Sequence, residues 1–282
     1  MKKILVPCDF SGTAMQAFDL AVEIAKKSKG EVLVMHAIEF APAYETSFVA
    51  QPYVFNATMQ EELEKDAQKN FEEMMRTRDI DIDSLPVSFY TDHGTITDTI
   101  TQFIDDHGID LVVMGTHGAS GLKEFFVGSN AEKVVRFSHV PVLAVKSPVS
   151  LTSLHSIVLP TMPDLSHHLF VEKVKMLQNF LQAQLHILYV NTPVNYRPEK
   201  DIQAELKDFA RFYKLEHYTV NIVNSTDEPT GIIAFAHDEH ADMIAMSTHG
   251  RKGLAHFFNG SIAEDVVNHV DCPIWTCTLN EA

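Results

Sequence analysis

Cysteine is scarce in this chain. Cys8, Cys272 and Cys277 are the three among 282 residues, and they form neither a CxxC pair nor an even framework. A disulfide scaffold is thereby excluded and a reducing compartment expected; the thiols read as small buried residues rather than ligands or nucleophiles. Positive charge is short as well: 22 Lys and Arg face 38 Asp and Glu, for a formal net charge of −16. Such a field repels phosphate backbones and anionic surfaces, so nucleic acid is not an expected partner. Long apolar runs are missing. The opening MKKILVPCDFSG is broken by Pro7 and Asp9, and nothing approaches the roughly 18 apolar residues of a membrane span. The expectation is a cytoplasmic protein without a membrane partner. The phosphate-binding fingerprints GxxxxGK[ST] and GxGxxG are both absent.

Histidine is plentiful, with 15 residues. His237 and His240 in HDEH have helical spacing, but the pattern is not HExxH and reads as a solvated helix end. No metal site is expected there or at His167–His168.

What is present is a repeat. Residues 110–136 read DLVVMGTHGASGLKEFFVGSNAEKVVR and residues 242–267 read DMIAMSTHGRKGLAHFFNGSIAEDVV. Asp110 and Asp242 are 132 positions apart, as are Gly118 and Gly250, Gly128 and Gly260, and Ser129 and Ser261. Nearer the start of each half the offset is 153, which pairs ILVP at 4–7 with IVLP at 157–160 and His36 with Tyr189. The second copy is thus 21 residues shorter between these anchors. The gap falls after the second strand, where residues 40–57 of the first half form an aromatic-rich loop, read either as a lid or as packing.

Within each half, short apolar runs alternate with amphipathic helical stretches. The first half reads as strands at 3–7, 31–38, 86–91, 110–115 and 140–145, with helices beginning near Ala14, 58, 95 and 129, and Gly30 closing the first of them. The second repeats this order from SIVLP to PIWTCT. Alternation of this kind predicts an α/β fold: two tandem doubly wound domains, each a five-stranded parallel sheet flanked by helices, at 1–147 and 152–282. The two terminal strands should pair with each other about a pseudo-twofold axis, with Trp275 opposite Leu143, giving an internal pseudo-dimer; a further homodimer would need another surface.

Gly115 and Gly118 end the fourth strand, and Gly128-Ser129-Asn130 opens a helix. Ligands of doubly wound sheets bind beyond the carboxyl ends of strands, glycines admit a close backbone, and a helix N-terminus offers free N–H groups to phosphate. The glycines also admit a purely structural reading as tight turns.

Taken with the Pro7-x-Asp9-x-Ser11 ending of the first strand and VPVLAV at 140–145, the Gly-x2-Gly-x9-Gly-Ser pattern resembles the ATP-binding universal stress proteins, in the tandem subclass. The resemblance implies a Rossmann-like fold and ATP or a related nucleotide, with or without magnesium, in the first half. It places Pro7 and Asp9 beside the ribose, backbone groups at Ala37 on adenine, and Gly115 at the ribose-side turn. His117, Gly118, Gly128, Ser129 and Asn130 fall at the phosphates. The implied function is a stress-response or signalling role through nucleotide-dependent contact with an unnamed protein partner. A slow ATPase or nucleotidyl-transfer enzyme and a carrier of another small ligand are the alternatives. At the same offsets the second half has Met162 for Asp9 and Ser247 for Gly115, although Asp164 stands two positions from Met162. Its site is read as degenerate.

Overall fold

The computed structural model describes residues 1–38, 57–78, 80, 84–116, 129–248 and 262–278. Strands and helices alternate through both halves. The first contains β1 (Lys3–Pro7), α1 (Gly12–Ser28), β2 (Glu31–Ile38), α2 (Ala57–Thr77), β3 (Val87–His93), α3 (Ile96–His107), β4 (Leu111–Gly115), α4 (Ser129–Phe137) and β5 (Val142–Val145). After a single 3-10 turn at Leu151–Ser153 come β6 (Ser156–Pro160), α5 (His168–Leu181), β7 (Gln184–Asn191) and α6 (Glu199–Phe212). The chain ends with β8 (Tyr218–Asn224), α7 (Glu228–Asp238), β9 (Met243–Thr248), α8 (Ile262–His269) and β10 (Ile274–Thr278).

The strands form a single ten-stranded sheet in the order β3-β2-β1-β4-β5-β10-β9-β6-β7-β8. Pairing is parallel within each half and antiparallel at the seam, where Trp275 stands opposite Leu143 and Ile274 opposite Ala144. This is the register that the 132-residue offset predicts. Each half reverses its strand order between its first and fourth strands, so each has a switch point at the carboxyl ends of β1 and β4, or of β6 and β9.

Alternation along the strands sorts the core into two layers. Ile4 and Val6 join one apolar cluster, whereas Leu5 joins another. The first cluster runs unbroken through both halves, from Phe18 on α1 through Leu143 and Trp275 to Phe170 on α5. On the opposite face the halves keep separate clusters, one around Leu5 and Val142, the other around Val158 and Ile274. Polar ties cross the seam too: the Glu23 carboxylate accepts from Ser150 Oγ (2.8 Å) and Leu151 N (2.7 Å), and Lys146 Nζ donates to Asn268 O (2.7 Å).

Caps explain several boundaries. Ser11 starts α1 by accepting from Ala14 N, Thr95 starts α3 by accepting from Asp98 N, and Asp227 starts α7 by accepting from Thr230 N (2.8 Å). At the end of α1 the sequence expectation needs correction. Lys29, not Gly30, takes the left-handed position, with φ at 52°. Gly30 is required for space: a Cβ there would sit 2.5 Å from the Lys2 carbonyl oxygen.

The repeated aspartate is a structural device at the edge of the sheet opposite the carboxyl ends. Asp110 accepts from the backbone N–H groups of Lys2 and Lys3, and Asp242 accepts from His155 N (2.9 Å), Ser156 N (2.9 Å) and Ser156 Oγ (3.0 Å). Each thereby fixes the first strand of its half against the fourth. Since hydrogen bonds to a charged group contribute about 1.5–3 kcal/mol, Asp242→Ala should lower stability by roughly 2 kcal/mol in denaturant melts while leaving ligand affinity unchanged.

Candidate functional site

In the first half, β1 ends at Pro7, whose partner on β2 is Met35, and β2 continues alone on that side through His36 and Ala37. The departing chain is held by Cys8 N donating to Met35 O (2.9 Å) and by His36 Nδ1, 2.7 Å from Cys8 O. A carbonyl oxygen only accepts, so His36 Nδ1 is the donor in this bond. Phe10 then takes a positive φ of 60°, with its ring 5.2 Å from the His36 ring. This kink turns the exposed Asp9 back onto the helix entrance, where Asp9 Oδ1 accepts from Ser11 N (3.0 Å).

Gly115 ends β4 directly under the first turn of α1. A Cβ at this position would lie 2.8 Å from the Thr13 carbonyl carbon and 3.0 Å from its oxygen. The close neighbour that demands glycine here is therefore the protein's own helix. Thr116 follows, buried, with its N–H on Val145 O (3.0 Å). Of the residues expected at the site, Pro7, Asp9 and Gly115 converge on the β1–β4 switch point. Ala37 lies on the neighbouring strand, opposite Asp92 of β3. Ser129 and Asn130 form the first turn of α4, which returns from the carboxyl end of β4 to β5. His117, Gly118, Gly128 and the 40–56 segment of the long loop lie outside the described residues.

The second half departs from its counterpart in a way that a constant offset misses. The 153 offset puts Gly12 at Leu165, but α5 begins only at His168, while α1 and α5 end in register at Ser28 and Leu181. The first turn of the helix is replaced by a longer loop, residues 161–167. Within it Asp164 Oδ1 accepts from Ser166 N (2.8 Å), the same Asp-x-Ser turn that Asp9 and Ser11 make. Asp164, not Met162, is the counterpart of Asp9, and Met162 is exposed. With the helical turn gone from above β9, the Cβ of Ser247 is accommodated. The signal was in the sequence as D-x-S in both halves, but the later helix start places it two residues out of the 153 register.

A model of the universal stress protein family, taken as a single domain, matches the chain twice, at residues 1–146 and 154–277. The chain belongs to the universal stress protein family. A universal stress protein of Methanocaldococcus jannaschii is 32% identical over 149 residues, which are 52% of this chain and 83% of that protein. The Bacillus subtilis universal stress protein YxiE is 29% identical over 150 residues, 51% of this chain and 98% of its own length. Each of these relatives therefore corresponds to one half. Over the whole length, the crystal structure of a universal stress protein from Archaeoglobus fulgidus superimposes with a TM-score of 0.76 at 18% identity, covering 99% of this chain and 98% of that one. This likeness shows that the two chains share their fold over both halves.

The cysteines of this universal stress protein are poor nucleophiles. Burial pushes the Cys8 thiol up to about 12 and the Cys272 thiol up to about 11, and it raises Cys277 as well. Among the described residues no cluster of His, Cys, Asp and Glu is placed to hold a metal ion, and no helix is long and apolar enough to cross a membrane. His237 and His240 sit at the solvated end of α7, with ring centroids 6.4 Å apart.

Proposed function

We propose that this universal stress protein binds ATP or a related nucleotide at the β1–β4 switch point of its first half and uses that occupancy to bias a protein partner. The observation that carries the reading is the entrance of α1. Asp9, exposed, is turned back onto the helix entrance at the Phe10 kink and anchored through Ser11, on a helix turn seated against Gly115. A carboxylate held there, beyond the carboxyl ends of β1 and β4, suits the vicinal hydroxyls of a ribose. The side of β2 at Ala37 that no strand covers presents backbone to a flat base, and the first turn of α4 presents N–H groups to phosphate. No Walker lysine is present in the sequence, so binding rather than turnover is the proposed role.

One nucleotide per chain follows from the helix, not from the carboxylate. Both halves have the Asp-x-Ser turn, but only the first has a helical turn packed over its switch point. Loss of a hydrogen bond to a charged group costs about 1.5–3 kcal/mol. Asp9→Ala should therefore weaken ATP binding roughly tenfold to a hundredfold in calorimetry, whereas Asp164→Ala should leave it unchanged. Two equivalent sites in the unmutated protein would refute the assignment.

A further inference from the structure

The loop that replaces the first turn of α5 opens a cavity of about 460 Å³ over the carboxyl ends of β6, β7 and β9. Ligand cavities fall in this size range, roughly 300–1,000 Å³. Its walls are apolar on both faces of the sheet: Phe170 and Phe209 on one, Leu188, Ile232, Met246 and Val267 on the other. The first half contributes a wall as well, because α4 runs from its own switch point to this cavity and presents Val135 and Arg136 there. The cavity is thus completed by the seam between the halves.

Two further features point to an occupant. Thr248 lines the cavity and is nine-tenths buried, and its hydroxyl has no hydrogen-bond partner in the described structure. A buried hydroxyl left unpaired is costly, and a ligand oxygen would satisfy it. At its rim the lining residue Met162 is a large apolar side chain facing water, and the loops that supply Met162 and Asn195 to the lining also carry the exposed Leu165, Val194 and Tyr196. Charge then narrows the class. Three carboxylates, Glu132, Asp164 and Glu228, line the cavity against one guanidinium, Arg136, with His167 beside Asp164. Hydrogen bonds from the Ser166 backbone N–H and hydroxyl hold the Asp164 carboxyl below the usual carboxylate range. A polyanion or a fatty carboxylate would meet this rim unfavourably.

We infer that the cavity of the second half is a binding site for a neutral, mainly apolar small molecule carrying one hydroxyl or carbonyl oxygen, which pairs with Thr248. The inference does not depend on nucleotide binding in the first half. It is tested on the full chain with diphenylhexatriene, a neutral hydrocarbon that fluoresces when it leaves water. One saturable probe site per chain is expected, with 1-octanol displacing the probe, octanoate at least tenfold weaker as a competitor, and ATP without effect. Ala263→Phe, which fills the cavity from the half-buried start of α8, should lower probe affinity at least tenfold. Met162→Glu, at the exposed rim, should lower it severalfold without touching the core. Thr248→Val should leave the hydrocarbon probe unaffected and weaken 1-octanol by about threefold to tenfold. Absence of a saturable site, equal competition by ATP or octanoate, or undiminished binding in both Ala263→Phe and Met162→Glu would overturn the proposal. Loss of ATP binding in Asp9→Ala with probe binding intact would keep the two sites separate.

Discussion

Leu143→Asp should lower the melting temperature of the whole chain by roughly 10 °C or more, in a single transition. Leu143 is 2% exposed and stands opposite Trp275, the largest fully buried side chain, across the antiparallel seam. Removing a buried leucine side chain costs about 2–5 kcal/mol, and a carboxylate placed there adds the penalty of an unpaired charge in an apolar site. For domains of this size each kcal/mol is worth about 2–4 °C. The prediction of one transition comes from the core. Phe18, Leu143, Trp275 and Phe170 belong to one continuous cluster, so damage on the first-half side of the seam is felt in the second. Scanning calorimetry checks the melting, and limited proteolysis between residues 146 and 153 checks whether the halves loosen. A second half that melts as in the unmutated protein would mean that the seam contributes little and that each half folds on its own core.

The seam was legible because it depends on residues whose spacing the two copies share. Trp275 and Leu143 are both in terminal strands, and the 132-residue offset carried their register into the structure unaltered. The strand–helix order was legible for a related reason: runs such as LVVM at 111–114 and VLAV at 142–145 are buried along their length, which parallel strands covered on both faces require. Other features lay beyond a reading of spacing. Gly30 looked like a helix stop, yet the contact that demands it is with Lys2, remote in sequence. The equation of Asp9 with Met162 failed because a helix start moved by three residues, which no fixed offset records. The cavity arises from that same shift and from the first half's α4, so nothing in the second half's sequence alone announces it.

The two halves are joined through α4 and α8 as well as at the seam. In an antiparallel strand pair the carboxyl end of one strand lies beside the amino end of the other. Hence α4 starts at the first switch point and ends on the second half's cavity, with Val135 and Arg136 in its wall. Helix α8 makes the reverse journey, from Ile262 in the cavity to Asn268, whose carbonyl accepts from Lys146 just beyond β5. Each of these helices therefore runs from the carboxyl ends of its own half's strands to a contact with the other half.

Gly115→Ser should destabilise the protein in the absence of any ligand, by about 2 kcal/mol, while Ser247→Gly should change stability by about 1 kcal/mol or less. The two residues are equivalent in the repeat, so the contrast isolates what lies above them. At Gly115 a Cβ would come 2.8 Å from the Thr13 carbonyl carbon and 2.9 Å from its Cβ, and the nearest of these atoms is backbone that cannot swing aside. The first turn of α1 has to lift, and overpacking of this kind costs about 1–3 kcal/mol. At Ser247 the equivalent turn does not exist, since α5 begins at His168, and a glycine there forfeits only the ordinary restriction of a strand residue. The lifted turn carries Ser11, and through it Asp9, so ATP affinity should fall at least tenfold in Gly115→Ser even where the protein remains fully folded. Hydrogen exchange locates the effect: the amides of the first turn of α1 should exchange faster, while those of β4 keep their protection. If stability and exchange are unchanged and only ATP affinity falls, the glycine is there to admit the nucleotide. Loss of stability without ligand would assign it to the helix that holds Asp9 in place.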